Sequence, residues 1–254
     1  MMPDPDSIYT KNADIGYSTL GSQGQLKIVS ILNFLQDAAS EHAATLGVSG
    51  FDLAREDLAW VISRYQIEIK APPKWRDEIW IETWRTPVKN LYELRHFRII
   101  DSNATEIVTA RAFWVMVKKQ NGRPVRLSRY LSDRFLQQNT PSATEFFQAL
   151  KSPDQVDFEL PFKIRMHDLD LNHHVNNAIY VEWAVETVPE SLFLNYKPET
   201  INVTFHRESF YGEAIVSRTQ IIETREGPQT RHSILGKKGT MELARINISW
   251  RPQN

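Results

Sequence analysis

The chain has 254 residues, and its 30 lysines and arginines nearly balance its 31 aspartates and glutamates, which gives a net charge of −1. At ~100–200 residues per domain, this length fits one large domain or two smaller ones, and so small a net charge excludes a global field that attracts nucleic acid or anionic membranes. The hydrophobic content of 41% excludes wholesale disorder, and the absence of cysteine excludes disulfides, thiolate metal sites and a cysteine nucleophile. Residues 1–6 have neither the basic nor the apolar region of a signal peptide. We therefore expect a soluble cytoplasmic protein with no nucleic-acid or membrane partner.

The first half of the chain predicts one helix followed by four strands. Apolar residues recur at helical spacing over residues 28–44, and Ser30 is the candidate N-cap. Four β-rich segments follow, separated by proline and Asn-Gly turn signals: Trp60–Lys70, Glu78–Trp84, Leu91–Asp101 and Glu106–Lys118. This order predicts a helix packed against a four-stranded antiparallel sheet within residues 1–138.

The second half predicts the same order of elements again. The polar stretch at residues 139–156 predicts a linker, and residues 157–254 form the second predicted unit. We expect a strand at Phe158–Arg165 and a helix from Asn176 to Val188, which Pro189 ends. Four further strands are expected at Ile201–His206, Ala214–Glu223, Gln229–Leu235 and Met241–Trp250.

Matched residues at a constant spacing indicate that the two units arose by duplication. Thr83 and Thr219 are 136 residues apart (219 − 83), and the pair Arg95-His96 recurs at Arg231-His232 with the same offset (231 − 95). A constant offset across elements in the same order is hard to obtain by chance. We therefore predict an α+β fold of two tandem units, each a long helix wrapped by an antiparallel sheet.

The densest cluster of histidines and carboxylates lies in the second unit. Asp170, Asn172 and His174 alternate along the chain, so an extended segment would present all three side chains on one side. Glu208 supplies a further carboxylate, and a carboxylate with an imidazole can carry out general acid-base chemistry. A metal site is the alternative, but the His-x-x-x-His spacing of a helical zinc site is absent from this cluster. These four residues are the candidate catalytic set, and we expect no metal.

The second helix begins directly after this cluster. Its first amides, at Val175, Asn176 and Asn177, are candidates for binding an anion or a developing oxyanion. A plainer interpretation is that Asn176 only caps the helix and that the neighbouring polar residues only form turns. The first unit argues against it, because residues 19–26 contain neither histidine nor carboxylate and Pro72 stands 136 residues before Glu208. A purely structural set would be needed in both units.

Two segments resemble the acyl-acyl-carrier-protein thioesterases of plants and bacteria. They are residues 165–180, with the core Asn-x-His-Val-Asn-Asn-x-x-Tyr, and residues 205–209, Phe-His-Arg-Glu-Ser. The resemblance implies two tandem hot-dog domains and hydrolysis of fatty acyl-acyl-carrier-protein thioesters to free fatty acid and carrier protein, which ends fatty acid synthesis. It implies no metal and no cofactor, and a catalytic set formed in the second domain by Asp170, Asn172, His174 and Glu208.

The division of labour within this set is a hypothesis. We expect one carboxylate, Glu208 or Asp170, to act as general base on water or as a transient nucleophile, while His174 and Asn172 orient the water or the thioester carbonyl. Plant members have a cysteine at the position of Ser209, so Ser209 either replaces that group or is incidental. We favour the second interpretation because an unassisted serine is a weak nucleophile.

The implied partner is acyl carrier protein with a phosphopantetheine-linked acyl chain, and we expect a monomer or a homodimer. Because carrier protein is acidic, its contact surface should be basic, although exposed strand ends also carry such charges. The candidate basic runs are Lys118, Lys119, Arg123, Arg126 and Arg129, and Lys237 with Lys238.

The N-terminal unit is the candidate holder of the acyl chain. One set of candidate lining residues follows the helical stripe: Ile28, Leu32, Leu35 and Ala39. A second consists of tryptophans that form a wall or simply pack in the sheet: Trp60, Trp75, Trp80, Trp84 and Trp114. Three other functions stay open: an acyl-CoA thioesterase, a hydratase or dehydratase of the same fold, and a non-enzymatic acyl-thioester sensor.

Overall fold

The computed structural model describes residues 8–88, 90–131, 147–236 and 239–253. The chain divides into two units, Met1–Tyr65 with Lys70–Gln148, and Gln66–Ile69 with Ala149–Asn254. The predicted boundaries at 138/139 and 156/157 stay a prediction, and much of the predicted linker lies outside the described residues.

The first unit forms a five-stranded sheet with a long helix. Its elements in chain order are β1 (Tyr9–Asp14), a 3₁₀ turn (Tyr17–Thr19), α1 (Ile28–Thr45), α2 (Gly50–Ala54), β2 (Leu58–Ile69), β3 (Glu78–Val88), β4 (Tyr92–Asp101), β5 (Glu106–Lys118) and a 3₁₀ turn (Leu127–Arg129). The strand order is β1-β3-β4-β5-β2, and the pairs β1/β3, β3/β4 and β4/β5 are antiparallel. The four predicted strands are confirmed, whereas β1 and α2 were not predicted.

Helix α1 has the amphipathic pattern that the sequence predicts. It buries one side: Ile31, Leu32, Leu35, Ala38, Ala39, His42 and Ala43. The predicted N-cap, Ser30, is wrong, because the helix begins at Ile28 and Lys27 holds the N-cap position. The Lys27 amide donates to the Thr19 carbonyl at 3.0 Å, which fixes the chain before the helix, and the Ser30 hydroxyl donates to the same carbonyl at 3.2 Å.

The second unit repeats this plan. Its elements are β6 (Phe158–Lys163), a 3₁₀ turn (Met166–Asp168), α3 (Asn177–Glu186), α4 (Glu190–Asn195), β7 (Tyr196–Phe205), β8 (Ala214–Thr224), β9 (Gly227–Gly236) and β10 (Met241–Pro252). The strand order is β7-β10-β9-β8-β6, and the pairs β7/β10, β10/β9, β9/β8 and β8/β6 are antiparallel. The predicted helix and five strands are confirmed within a few residues, except that β7 begins earlier, and α4 was not predicted.

The strand registers of the two units correspond, and they correct the match between Arg95-His96 and Arg231-His232. Thr83 in β3 pairs with Phe97, whereas Thr219 in β8 pairs with His232, so the offset falls from 136 to 135 between these strands. The match of Arg95-His96 to Arg231-His232 is therefore wrong by one residue. A one-residue slip exchanges the two sheet faces, and accordingly Arg95 is buried while Arg231 forms an ion pair with the exposed Asp154.

The core of the first unit contains a buried ion network. Glu93 accepts hydrogen bonds from Arg85 Nε at 2.8 Å and from Arg95 at 2.7 Å, and all three side chains are at most 4% exposed. Arg95 also lies 3.1 Å from His42 Nδ1. Because arginine can only donate, His42 Nδ1 accepts and the imidazole is neutral. Burial, with the charge of Arg95, lowers the pKa of His42 to about 4.

Within the described part of the chain, no helix has the length and apolar composition needed to cross a membrane.

Candidate active site

The segment that carries three of the predicted catalytic residues is a tight turn. The Asp170 amide donates to the His174 carbonyl at 2.7 Å, and the His173 amide donates to the Asp170 carbonyl at 3.0 Å. His173 has a φ of 62°, in the left-handed region that favours glycine. The expectation of an extended segment is therefore wrong. Asp170 Oδ1 accepts from the amides of Asn172 (2.8 Å) and His174 (3.4 Å), and this local bonding favours a turn over an extended chain.

The turn is held between the 3₁₀ turn and the segment that contains Glu208. The Val175 amide donates to the Ser209 carbonyl at 3.1 Å, and the Asn176 amide donates to the Asp168 carbonyl at 2.8 Å. Both amides are therefore unavailable for an oxyanion, which corrects the prediction for Val175 and Asn176. Asn176 is the N-cap, and its side chain accepts from the Ala178 amide at 2.9 Å.

Asn177 is the remaining candidate of the three helix-start amides. It is the first residue of α3, and its amide has no acceptor among the described residues. The first amides of a helix lack partners within the helix and carry its positive dipole end. The Asn177 amide can therefore donate to an oxygen that gains negative charge.

His174 and Glu208 form the contact at the centre of the site. Their atoms Nδ1 and Oε1 are 3.4 Å apart, which is within ion-pair range and slightly long for a hydrogen bond. The two side chains are 30% and 48% exposed, so both can meet a substrate. The ring of Phe210 stands edge-on to the imidazole, with ring centroids 5.0 Å apart, and helps to fix its orientation.

The remaining two predicted catalytic residues have different surroundings. Asp170 Oδ1 accepts hydrogen bonds within the turn, so this oxygen has the turn-forming role that the plainer interpretation gave to the residue. Asn172 is exposed within the turn. The structure thus brings His174 and Glu208 together, and it places Asp170 and Asn172 on the same turn as His174.

Ser209 is a structural neighbour of Glu208. Its side chain is fully buried, and Oγ lies 2.7 Å from the hydroxyl of Tyr180 on α3. Burial raises the pKa of Tyr180 to about 12, so the phenol keeps its proton. This bond ties the Glu208 segment to the helix that follows His174, and a buried hydroxyl does not meet a substrate. The positioning role of Tyr180 was missed by sequence reasoning, although Tyr180 lies in the quoted motif.

Other polar residues near the site serve other contacts. Asp168 is buried and accepts hydrogen bonds from the Arg165 amide at 2.7 Å and from the Arg165 guanidinium. His206 faces Glu242 at 3.6 Å. Among the residues that the structure describes, no group of three or more histidines and carboxylates is arranged to hold a metal ion.

The first unit contains the same turn with different side chains. The Gly21 amide donates to the Gln25 carbonyl at 2.8 Å, the Gly24 amide donates to the Gly21 carbonyl at 3.0 Å, and Gly24 has a φ of 72°. The Leu26 amide donates to the Pro73 carbonyl at 3.0 Å, as the Val175 amide does to the Ser209 carbonyl. The two turns therefore share one backbone design.

This equivalence bears on the structural interpretation of the cluster. Gly21 takes the place of Asp170 and Gln25 that of His174, while Pro72 precedes Pro73 as Glu208 precedes Ser209. The first unit builds the turn without imidazole or carboxylate, so the fold does not require them. The backbone of the turn alone therefore does not explain the polar side chains of the second unit.

The candidate residues of the first unit take several positions. Leu32, Leu35 and Ala39 are buried, and Ile28 is half-buried. The surroundings of the tryptophans differ: Trp75 is 52% exposed, whereas the Trp60 indole donates to the Val48 carbonyl at 3.0 Å. The first basic run is exposed: Lys118, Lys119, Arg123, Arg126 and Arg129. Lys237 and Lys238 lie outside the described residues.

A helix against an antiparallel sheet, present twice in one chain, defines a tandem hot-dog protein. Among the described residues, the candidate site with histidine opposite glutamate lies in the second unit. Family models match on both units: the acyl-ACP thioesterase N-terminal domain over residues 6–134 and the acyl-ACP thioesterase C-terminal domain over residues 151–252. The chain belongs to the acyl-ACP thioesterase family.

Individual relatives agree with this assignment. A chloroplastic dodecanoyl-[acyl-carrier-protein] hydrolase from Cinnamomum camphora is 26% identical over 249 residues, which cover 92% of this chain. This chain spans 65% of that relative, slightly less than two thirds of its length. Two solved structures share the fold: the 12:0-ACP thioesterase of Umbellularia californica (TM-score 0.85, 23% identity, 97% of this chain and 94% of that one) and an acyl-ACP thioesterase of Bacteroides thetaiotaomicron (TM-score 0.84, 21% identity, 98% and 100%).

Proposed function

We propose that the chain hydrolyses fatty acyl-acyl-carrier-protein thioesters to free fatty acid and the carrier-protein thiol. The observation that supports this most is the pair of equivalent turns, of which only the second carries His174 opposite Glu208. Membership of the family and relatives named as acyl-carrier-protein hydrolases support the same reaction. The cytoplasmic location, the acyl carrier protein partner and the role of the first unit in holding the acyl chain belong to this proposal.

His174 and Glu208 act together as the base. Because Nδ1 of His174 faces Glu208, Nε2 is the nitrogen left to accept a proton from water. The water oxygen bonds to the thioester carbonyl carbon, and the carbonyl oxygen gains negative charge within reach of the Asn177 amide. The carbon–sulfur bond then breaks, and the departing thiolate takes the proton from His174. Asp170 holds the turn that carries His174, and Asn172 orients the water or the carbonyl.

The test is release of fatty acid and thiol from acyl carrier proteins that carry short to long chains, beside the matching coenzyme A thioesters. We expect hydrolysis by the wild type and a loss of at least ~100-fold in kcat for Glu208→Gln and His174→Ala, as is typical for removal of a general base. Glu226→Gln is the matched control, because Glu226 is exposed in the turn between β8 and β9. Near wild-type turnover by either site variant would refute the assignment, and water loss from a hydroxyacyl thioester would indicate a dehydratase instead.

A further inference from the structure

The second unit contains an open cleft of about 640 Å³ whose lining includes His206 and Arg207, the two residues that directly precede Glu208. Its lining residues are His206, Arg207, Thr240, Met241 and Glu242. It forms where β7 ends at Phe205 and β10 has a register shift between Glu242 and Ala244. Bulges of this kind often lie next to functional sites. The amides of His206 and Arg207 both donate to the Leu243 carbonyl, at 2.8 and 3.2 Å, and so fix the chain directly before Glu208.

The lining of this cleft contains one arginine and one carboxylate, Arg207 and Glu242. Although burial raises it, hydrogen bonds from Arg245 and Ser233 hold the pKa of Glu242 below its usual range, so this carboxylate stays ionised, and its ion pair with Arg245 compensates its charge. Arg207 is exposed and forms no ion pair with a carboxylate in the described part of the chain. Among the described lining residues, Arg207 is therefore the cation without a carboxylate partner, and His206 and Thr240 line the cleft beside it.

We propose that this cleft binds the phosphate of the substrate's phosphopantetheine arm, with Arg207 as the phosphate ligand. This inference rests on the proposed function. An acyl thioester of carrier protein or of coenzyme A carries an anionic phosphate at the far end of the arm, and a guanidinium matches phosphate with paired hydrogen bonds. Arg207 directly precedes Glu208, so the arm of a substrate whose thioester lies at Glu208 reaches Arg207 by bending back over the adjoining surface. Met241 offers apolar contact to the hydrocarbon part of the arm.

The experiment compares one acyl chain on two carriers that differ only in the phosphate, 4′-phosphopantetheine and pantetheine. We expect the wild type to have a higher kcat/KM for the phosphorylated carrier. Arg207→Gln should lower the ratio of the two kcat/KM values roughly tenfold, mostly through KM, because a charge-assisted hydrogen bond to the ground state is lost. Arg225→Gln is the control, since Arg225 is equally exposed in the same unit but lies in the β8–β9 turn.

Two results would overturn the proposal. If Arg207→Gln lowers kcat/KM equally for both carriers, Arg207 acts on the fold or on Glu208 and not on phosphate. If the wild type does not distinguish the two carriers, the cleft binds no phosphate. Calorimetric titration with free 4′-phosphopantetheine and free pantetheine gives the same comparison without turnover. A protein that cleaves neither thioester but binds the phosphorylated form through Arg207 would refute the proposed function and support this site.

Discussion

Glu93→Gln should destabilise the first unit strongly, because Glu93 neutralises two buried arginines. The carboxylate accepts three charge-assisted contacts, from Nε and a terminal nitrogen of Arg85 at 2.8 Å and from Arg95 at 2.7 Å. The glutamine side chain keeps the shape but removes the negative charge that both buried guanidinium groups contact. Breaking a buried pair in this way costs ~3–5 kcal/mol, a large part of the ~5–15 kcal/mol by which a typical protein is stable.

Equilibrium unfolding in urea measures this loss, and a surface ion pair provides the matched control. Glu106 contacts Lys70 at 2.7 Å, yet both side chains are more than a third exposed. Glu106→Gln should therefore change the free energy of unfolding by ~0–1 kcal/mol. A loss below ~1 kcal/mol for Glu93→Gln, or equal losses for the two variants, would show that Glu93 does not hold a buried charge pair.

Three further predictions concern buried and strained groups. Burial lowers the pKa of His42 and His96 to about 4 and of His232 to about 3, below the unfolded value of 6.5. Because the unfolded chain takes up these protons first, the free energy of unfolding should be highest above pH 6.5 and fall as the pH drops toward 4. A melting temperature that stays constant from pH 7 to 4.5 would contradict this. Tyr180→Phe should destabilise by ~1–3 kcal/mol because the buried Ser209 hydroxyl loses its partner, and adding Ser209→Ala should recover part of that loss in denaturant unfolding; a purely additive double variant would disprove the coupling. His173→Gly should be neutral or stabilise by up to ~1 kcal/mol by relieving the left-handed backbone, and a clear drop in melting temperature would refute this.

The fold was largely predictable because its elements have clear periodicity and punctuation. Strand β5 was predicted at its exact bounds, Glu106–Lys118, since charged residues close both ends of an apolar run. Strand β1 was missed because four of its six residues, Thr10, Lys11, Asn12 and Asp14, are polar, so the sequence lacks the apolar alternation of a half-buried strand. Pairing with β3 stabilises it. Short α4 was missed because six residues contain less than two helical turns, too few for a periodic signal.

The candidate site was predictable in its residues but not in its geometry. Residue types and spacing identified His174 and Glu208, which lie 34 residues apart and meet at 3.4 Å. The extended segment was a wrong prediction because alternation along a chain implies alternating directions only when the backbone is extended. Asp170 instead bonds to amides two and four residues ahead, and no periodicity reports such a side-chain bond.

The two equivalent turns explain why function could be inferred from one sequence. Their backbone bonds correspond one for one, and each places a residue with positive φ at the same step, glycine in the first unit and His173 in the second. The first turn uses the residue that fits this conformation without strain, as expected where only the fold matters. The second turn carries His173 at the strained position and His174 directly after it, with the carboxylates of Asp170 and Glu208 nearby. The equivalent positions of the first turn hold only glycine, glutamine and proline. The second copy retains, at a local energetic cost, side chains that the fold omits in the first copy, and this difference supports placing the proposed reaction in the second copy.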